Sequence, residues 1–257
     1  MDEKIRGRRR SVRIERRRRR RTLAFLVVLL LCAVGLFLWL RSSDVFAVKR
    51  ITATGAERVS TGQIAEVTSG VVGDSLLSLS TGAIEEALLA LPYVQSVSVH
   101  RCFPNTLEIE LVEYEPVARV GGEGGEIWLV SDSGRVLEGT DATQFPDLPL
   151  LVPDSSFFVS AGAQVPAAVA ETLPLAVLLQ VEEIRAQLPV LARIAVSAAG
   201  SAVVVLEGGG ELRLGDPAGL EQKLEVAVDI VQQCLAEGRQ IEYIDASVAD
   251  RVAVKAK

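Results

Sequence analysis

The sequence predicts an α+β chain: one N-terminal transmembrane helix, then a small β-α-α-β-β domain and a mixed β-sheet domain with flanking helices. Three observations predict it. Residues 22–40 form an uncharged apolar run, residues 45–115 alternate strand and helix signals, and residues 116–257 combine hairpin signals with one long amphipathic stretch.

The apolar run is Thr22–Leu40 (TLAFLVVLLLCAVGLFLWL), set directly behind Arg16, Arg17, Arg18, Arg19, Arg20 and Arg21. Its 19 residues at a helical rise of ~1.5 Å span about 28 Å, close to the ~30 Å hydrocarbon core of a bilayer. The six arginines are the topology signal: positive charge stays inside, so residues 1–21 are expected in the cytoplasm and everything after Leu40 outside. Val45-Phe46-Ala47 resembles a small-residue cleavage site, and Arg20-Arg21 invites a twin-arginine reading. The run, however, exceeds the ~7–15 apolar residues usual in a signal peptide, and a retained anchor is expected.

The formal charge of −6 hides two opposite halves. Residues 1–21 hold twelve bases against three acids, a net +9, whereas residues 41–257 hold 15 bases against 30 acids, a net −15. An acidic exterior argues against a nucleic-acid partner there. The basic tail suits anionic lipid or nucleic acid as well as topology. Of the three cysteines, Cys32 falls in the apolar run. Cys102, expected in a β-turn, and Cys234, expected on a helix, make neither a disulfide framework nor a zinc site, and free thiols are expected.

Val48–Thr54 reads as a strand closed by Gly55. Ser60 and Gln63 give a capping-box spacing ahead of Ile64 and Val67, for a short helix ending near Gly70. A second helix starts at Ser80 or Thr81, with Ile84, Ala87, Leu88 and Leu91 on one face and Pro92 as its stop. Two strands follow, Val97 and Val99 alternating with Ser96, Ser98 and His100, then Leu107, Ile109 and Leu111 alternating with Glu108 and Glu110. The connection Cys102–Thr106 has hairpin chemistry.

Beyond Glu115-Pro116, Ile127–Val130 and Arg135–Leu137 form a hairpin about Ser131–Gly134, and Val203–Leu206 and Glu211–Leu214 a second about Gly208–Gly210. Pro166–Leu188 reads as helical, interrupted or kinked at Pro174. Leu220–Ala236 is the best amphipathic helix, with Leu220, Leu224, Ala227, Val228, Val231 and Leu235 on its stripe and Gly238 closing it. Ile241–Asp245 and Val252–Lys255 are the last strand-like runs.

No enzyme is legible. His100 is the only histidine, and no Ser-x-x-Lys, Gly-x-Ser-x-Gly, His-Glu-x-x-His or phosphate loop occurs. Gly121-Gly122-Glu123-Gly124-Gly125 carries a glutamate that would repel phosphate, and Glu108 with Glu110 lacks an opposing carboxylate pair. Catalytic, metal and cofactor sites are all read as none, and no small-molecule substrate is expected.

Several stretches carry a resemblance. Val48-Lys49-Arg50-Ile51 through Gly55, then Val59-Ser60 and Ile64, resemble the opening of a POTRA domain. Leu91-Pro92-Tyr93-Val94 and Arg101–Leu107 resemble its second half, and Glu113-Tyr114-Glu115-Pro116-Val117-Ala118 the junction that follows. Leu129–Asp132 with Gly134, Val136 and Leu137, then Leu148-Pro149, Glu211–Gly215 and Ile244-Asp245 are similar to the β-domain of the FtsQ/DivIB family of bacterial cell-division proteins. The resemblance implies domains at 1–21 (tail), 22–40 (span), 45–115 (POTRA) and 116–257 (β-domain). It also implies a septal plasma-membrane location, and partners among FtsB- and FtsL-type division proteins and other divisome members. Ser247 and Val248 stand where many members have Arg-Tyr.

A module without chemistry binds by its surface, and an open sheet edge offers a strand-shaped partner its unpaired N–H and C=O groups. The residues expected to carry this are Ile241, Tyr243, Asp245, Val252, Val254 and Lys255. An envelope chaperone or secretion component would instead show tandem copies of the small domain or ~10-residue barrel strands. An anchored envelope enzyme or regulator would show a convergent polar cluster.

Overall fold

The computed structural model of the protein describes residues 23–35, 39, 43–155 and 157–256. The tail with Arg16–Arg21, and residues 22, 36–38 and 40 of the apolar run, lie outside the described residues. Residues 23–35 are helical (α1) and every side chain on them is exposed. Among the described residues no helix is long and apolar enough to cross a membrane.

The chain divides into two compact units, Met1–Thr54 with Thr61–Glu85 and Ser98–Glu110, and Gly55–Ser60 with Glu86–Val97 and Leu111–Lys257. The expected β-α-α-β-β order is present: β1 (Arg50–Thr54), α2 (Thr61–Thr68), α3 (Thr81–Leu89), β2 (Val94–Cys102) and β3 (Thr106–Glu113). The three strands are ordered β1-β3-β2, with β1 parallel to β3 from Arg50↔Thr106 to Thr54↔Glu110. Parallel partners need a crossover, and the chain between β1 and β2 supplies it with two helices. Strand alternation holds, since Leu107, Ile109 and Leu111 are buried while Glu110 is exposed. Two details differ from expectation. Ala87 is exposed and Leu91 lies beyond α3. Cys102 is the last residue of β2 rather than a turn residue, and its thiol donates to Glu108 Oε2 at 3.1 Å.

Gly55 turns the chain after β1 with φ +78, where an added Cβ would lie 2.0 Å from Leu111 O, so only glycine fits. The Glu113 carboxylate then accepts the backbone N–H groups of Glu57 at 3.2 Å and of Arg58 and Val59 at 2.8 Å each. That fan of bonds is the local reason for an acid at this place in the Glu113–Ala118 stretch.

The second unit is built on β4 (Pro116–Gly121), β5 (Ile127–Ser131), β6 (Val136–Thr140), β7 (Leu150–Pro153), β8 (Leu191–Val196), β9 (Ala202–Leu206), β10 (Glu211–Gly215), β11 (Ile241–Asp245) and β12 (Ala253–Ala256). They form one nine-stranded sheet in the order β12-β11-β10-β9-β8-β7-β4-β5-β6. Parallel pairing of β4 with β7, β7 with β8 and β10 with β11 makes the sheet mixed. Ala118, Val120, Leu151, Ile194, Val204, Leu212 and Ile244 share one buried core with helical residues Leu173, Leu175, Leu224 and Val231.

The Pro166–Leu188 stretch is three short helices, α4 (Ala167–Ala170), α5 (Leu173–Leu178) and α6 (Glu182–Arg185). Pro174 sits in the first turn of α5, where proline is tolerated, so it starts a helix instead of kinking one. Val181 at φ −62, ψ 124 is extended and separates α5 from α6. Helix α7 spans Leu220–Ala236 as expected, but Leu235 is 48% exposed and Cys234 is fully buried. Cys234 continues the seven-residue row of Leu220 and Ala227, both of which are buried. Strands β4, β7 and β8 were not among the expected elements.

Candidate functional site

The candidate residues gather at one end of the nine-stranded sheet. Gly238, at φ +68, ends α7, and the chain returns as β11 parallel to β10. Strand β12 then doubles back antiparallel to β11, pairing Tyr243↔Lys255, Ile244↔Val254 and Asp245↔Ala253, with a register shift between Ile241 and Tyr243. Strand β12 is the edge, and its residues Ala253, Val254 and Lys255 are exposed. Among the described residues no further segment is hydrogen-bonded along it.

Alternation sorts the side chains. Ile244 points into the core and is fully buried, while Ile241, Tyr243 and Asp245 are half-buried. Ile241 and Val252 pack against the core rim; Val252 precedes β12, which begins at Ala253. Val254, opposite Ile244, remains 42% exposed.

Tyr243 is the centre of a charged cluster. The Arg213 guanidinium lies 4.5 Å from its ring centroid and Lys255 Nζ lies 6.0 Å from it. Both are within cation–π range. Glu211 accepts from Arg213 Nε at 3.0 Å and Nη2 at 2.8 Å, which raises the guanidinium pKa further. Lys255 Nζ donates to Glu242 Oε1 at 2.6 Å, and that bond raises the ammonium pKa. The Asp245 carboxylate accepts from Ser247 Oγ at 2.6 Å and Ser247 N at 3.1 Å. Those bonds, with a smaller contribution from Arg213, hold it below the ordinary carboxylate range. Ser247 thus fixes the Asp245 side chain.

Arg213, Glu211, Glu242 and Ser247 were missed as site residues. The available signal was the strand–helix–strand order of β10, α7 and β11, which favours parallel neighbours and brings Arg213 beside Tyr243. Elsewhere His100 is exposed, Cys234 is buried in α7, and Cys102, Cys234 and Cys32 are free thiols. Among the described residues no group of three or more His, Cys, Asp or Glu side chains is placed to hold a metal ion. A cavity of about 190 Å³ is lined by Arg119, Asp147, Arg185 and Arg193. Arg185 there is paired with Asp147 at 2.7 Å, and Arg119 is committed to the carbonyls of Leu148 and Ala142. The chemistry on offer at the β12 edge is main-chain hydrogen bonding flanked by one aromatic ring and paired charges.

Comparison with known proteins places this architecture. Residues 46–114 match the model of the POTRA domain, FtsQ-type. Residues 118–247 match that of the cell division protein FtsQ/DivIB C-terminal domain. The chain belongs to the FtsQ/DivIB family of cell-division proteins. Among its relatives, the cell division protein FtsQ of Corynebacterium glutamicum is 31% identical over 114 residues, covering 44% of this chain and 50% of that one. FtsQ of Anaeromyxobacter sp. is 34% identical over 42% of this chain and 36% of its own length. FtsQ of Myxococcus fulvus is 27% identical over 72% of this chain and 68% of its own length. The match thus spans about half or less of the first two relatives and about two thirds of the third.

Proposed function

We propose that this chain is a single-pass, non-enzymatic scaffold of the bacterial divisome. Residues 1–21 are cytoplasmic, 22–40 span the plasma membrane, and 45–115 and 116–257 work outside it at the septum. There the chain binds FtsB- and FtsL-type division proteins and links assembly of the division ring to septal peptidoglycan synthesis. Membership of the family supports the cell-division role. The exposed apolar side chains of α1, among them Phe25 at 67% and Leu30 at 63%, support the span, since water is a poor solvent for such a surface.

One observation carries the binding role: β12 is an edge strand, with no further segment paired along it among the described residues. A partner strand added there gains main-chain bonds from β12 and side-chain contacts from Val254, Lys255 and Tyr243, with Ile241, Asp245 and Val252 shaping the rim. The test is a fluorescent fusion on the N-terminus of the full chain in growing cells. A band at midcell in constricting cells that retains the FtsB-type partner is expected. Uniform membrane fluorescence from a functional fusion would contradict the divisome role. Midcell recruitment of the partner that survives loss of residues 253–257 would contradict the edge.

A further inference from the structure

The first unit carries exposed apolar residues that no core explains, where the chain leaves the apolar run. Val45 is 56% exposed, and Phe103, in the β2–β3 connection, is 57% exposed. Phe46 and Phe103 meet edge-to-face with ring centroids 6.1 Å apart. The main chain fixes this arrangement. Lys49 and Arg50 donate their N–H groups to Asn105 O, at 2.9 and 3.2 Å, and Leu76 N donates to Phe46 O at 2.8 Å. Val72, 60% exposed, leads into the segment that runs alongside residues 46–48 through the Ala47↔Ser75 bridge.

Connectivity limits where this patch can be. Phe46 follows Leu40 by six residues, so the extended chain keeps it within about 20 Å of the end of the apolar run. The Phe46–Phe103 contact ties the hairpin to the same level. The charge nearby is also out of keeping with the acidic exterior. Lys49, Arg50 and Arg101 are exposed beside the hairpin, balancing Asp44, Asp74 and the Glu108 carboxylate that accepts from Cys102.

We propose that Val45, Phe46 and Phe103 form a second membrane contact: the β2–β3 connection inserts its aromatic tip into the outer interface of the bilayer, with Lys49 and Arg50 at the level of anionic headgroups. Apolar side chains gain by leaving water for the acyl boundary, and bases beside them gain from headgroup phosphate. The contact rests on the reading that residues 22–40 span the bilayer. It holds the first unit against the membrane surface instead of leaving it free on a tether.

The test uses the full chain in vesicles of phosphatidylcholine with a minor share of phosphatidylglycerol, with and without bromine on the acyl chains, which quenches indole at close range. Trp39 and Trp128 are the native indoles, and the parent chain provides their signal. Phe103→Trp adds a third, and Val45→Trp repeats the reading at an independent position. The expected result is loss of emission from Trp39 and from the added indole, which is also shielded from aqueous iodide. Quenching of Trp39 with an added indole open to iodide would overturn the contact and leave the span standing. An added indole shielded from iodide but untouched by bromine would mean that protein covers the patch, and would also overturn it. No quenching of Trp39 would overturn the span and the contact together.

Discussion

The two ends of the nine-stranded sheet are treated differently. At the β6 end the segment 162–165 lies along the edge: Val136 N donates to Ala163 O, Gly162 N to Val136 O and Val165 N to Gly134 O, at 2.8–2.9 Å. A bridge between Arg135 and Gln164 adds to this cover, which among the described residues reaches Val136 at the start of β6 and not Leu137–Thr140. At the β12 end nothing among the described residues does the same, and Ala253, Val254 and Lys255 are exposed. An open edge is an aggregation hazard that folds ordinarily cover, shorten or charge. Among the described residues this sheet is covered at the start of its β6 edge and open along its β12 edge, which is short and marked by a single lysine. The difference supports the proposal that a partner strand docks at the open end.

That comparison can be broken first at the core behind the open edge. Ile244→Ala should lower stability by about 2–5 kcal/mol, because Ile244 is fully buried. Val254→Ala, across the strand pair from it, should change stability by about 0.5 kcal/mol or less. Denaturant titration of both separates a strand that holds the fold from one that only lines its edge.

Proline scanning sharpens it. Successive residues of a strand direct their N–H groups to opposite sides, so one of Val254→Pro and Lys255→Pro removes an outward N–H and the other a bond to β11. The outward one should cut affinity for the proposed FtsB-type partner by about tenfold or more, a shift of roughly 1.4 kcal/mol, with the melting temperature nearly unchanged. Equal affinity for both folded variants and the parent would remove β12 from the interface.

At the covered end, Gly162 holds φ +83, so Gly162→Val should destabilise the cover by about 1–3 kcal/mol. Sedimentation should then show self-association through the β6 edge; a strictly monomeric variant would mean that the cover is dispensable.

The smallest effect is electrostatic. The Asp245 pKa is depressed below its ordinary value of 3.8, so its contribution to stability is present above that value and is lost as pH falls through the lower folded-state pKa. Ser247→Ala should return the carboxyl toward its ordinary value, which carbon-13 NMR titration would follow. An unshifted titration would mean that Ser247 does not hold Asp245.

Much of this was legible in the sequence because it rests on local periodicity. The Ile84/Leu88 face, the alternation of Leu107, Ile109 and Leu111, the two hairpins and α7 each declare themselves within one window. Strands β4, β7 and β8 do not. They lie together in the middle of the sheet, where β7 is four residues ending in Pro153 and β4 opens on Pro116. Their order is set by parallel pairing across long connections, which no local pattern records. The site divides in the same way. Tyr243 and Lys255 follow from alternation, whereas Arg213 reaches Tyr243 only through the parallel register of β10 on β11.

The most direct test of the open edge is amide hydrogen exchange, with and without the soluble part of the FtsB-type partner. Slower exchange confined to residues 253–256 and their neighbours in β11, with Val136–Thr140 unchanged, is the predicted result. Binding that leaves 253–256 exchanging at the free rate, while protecting another surface, would contradict it.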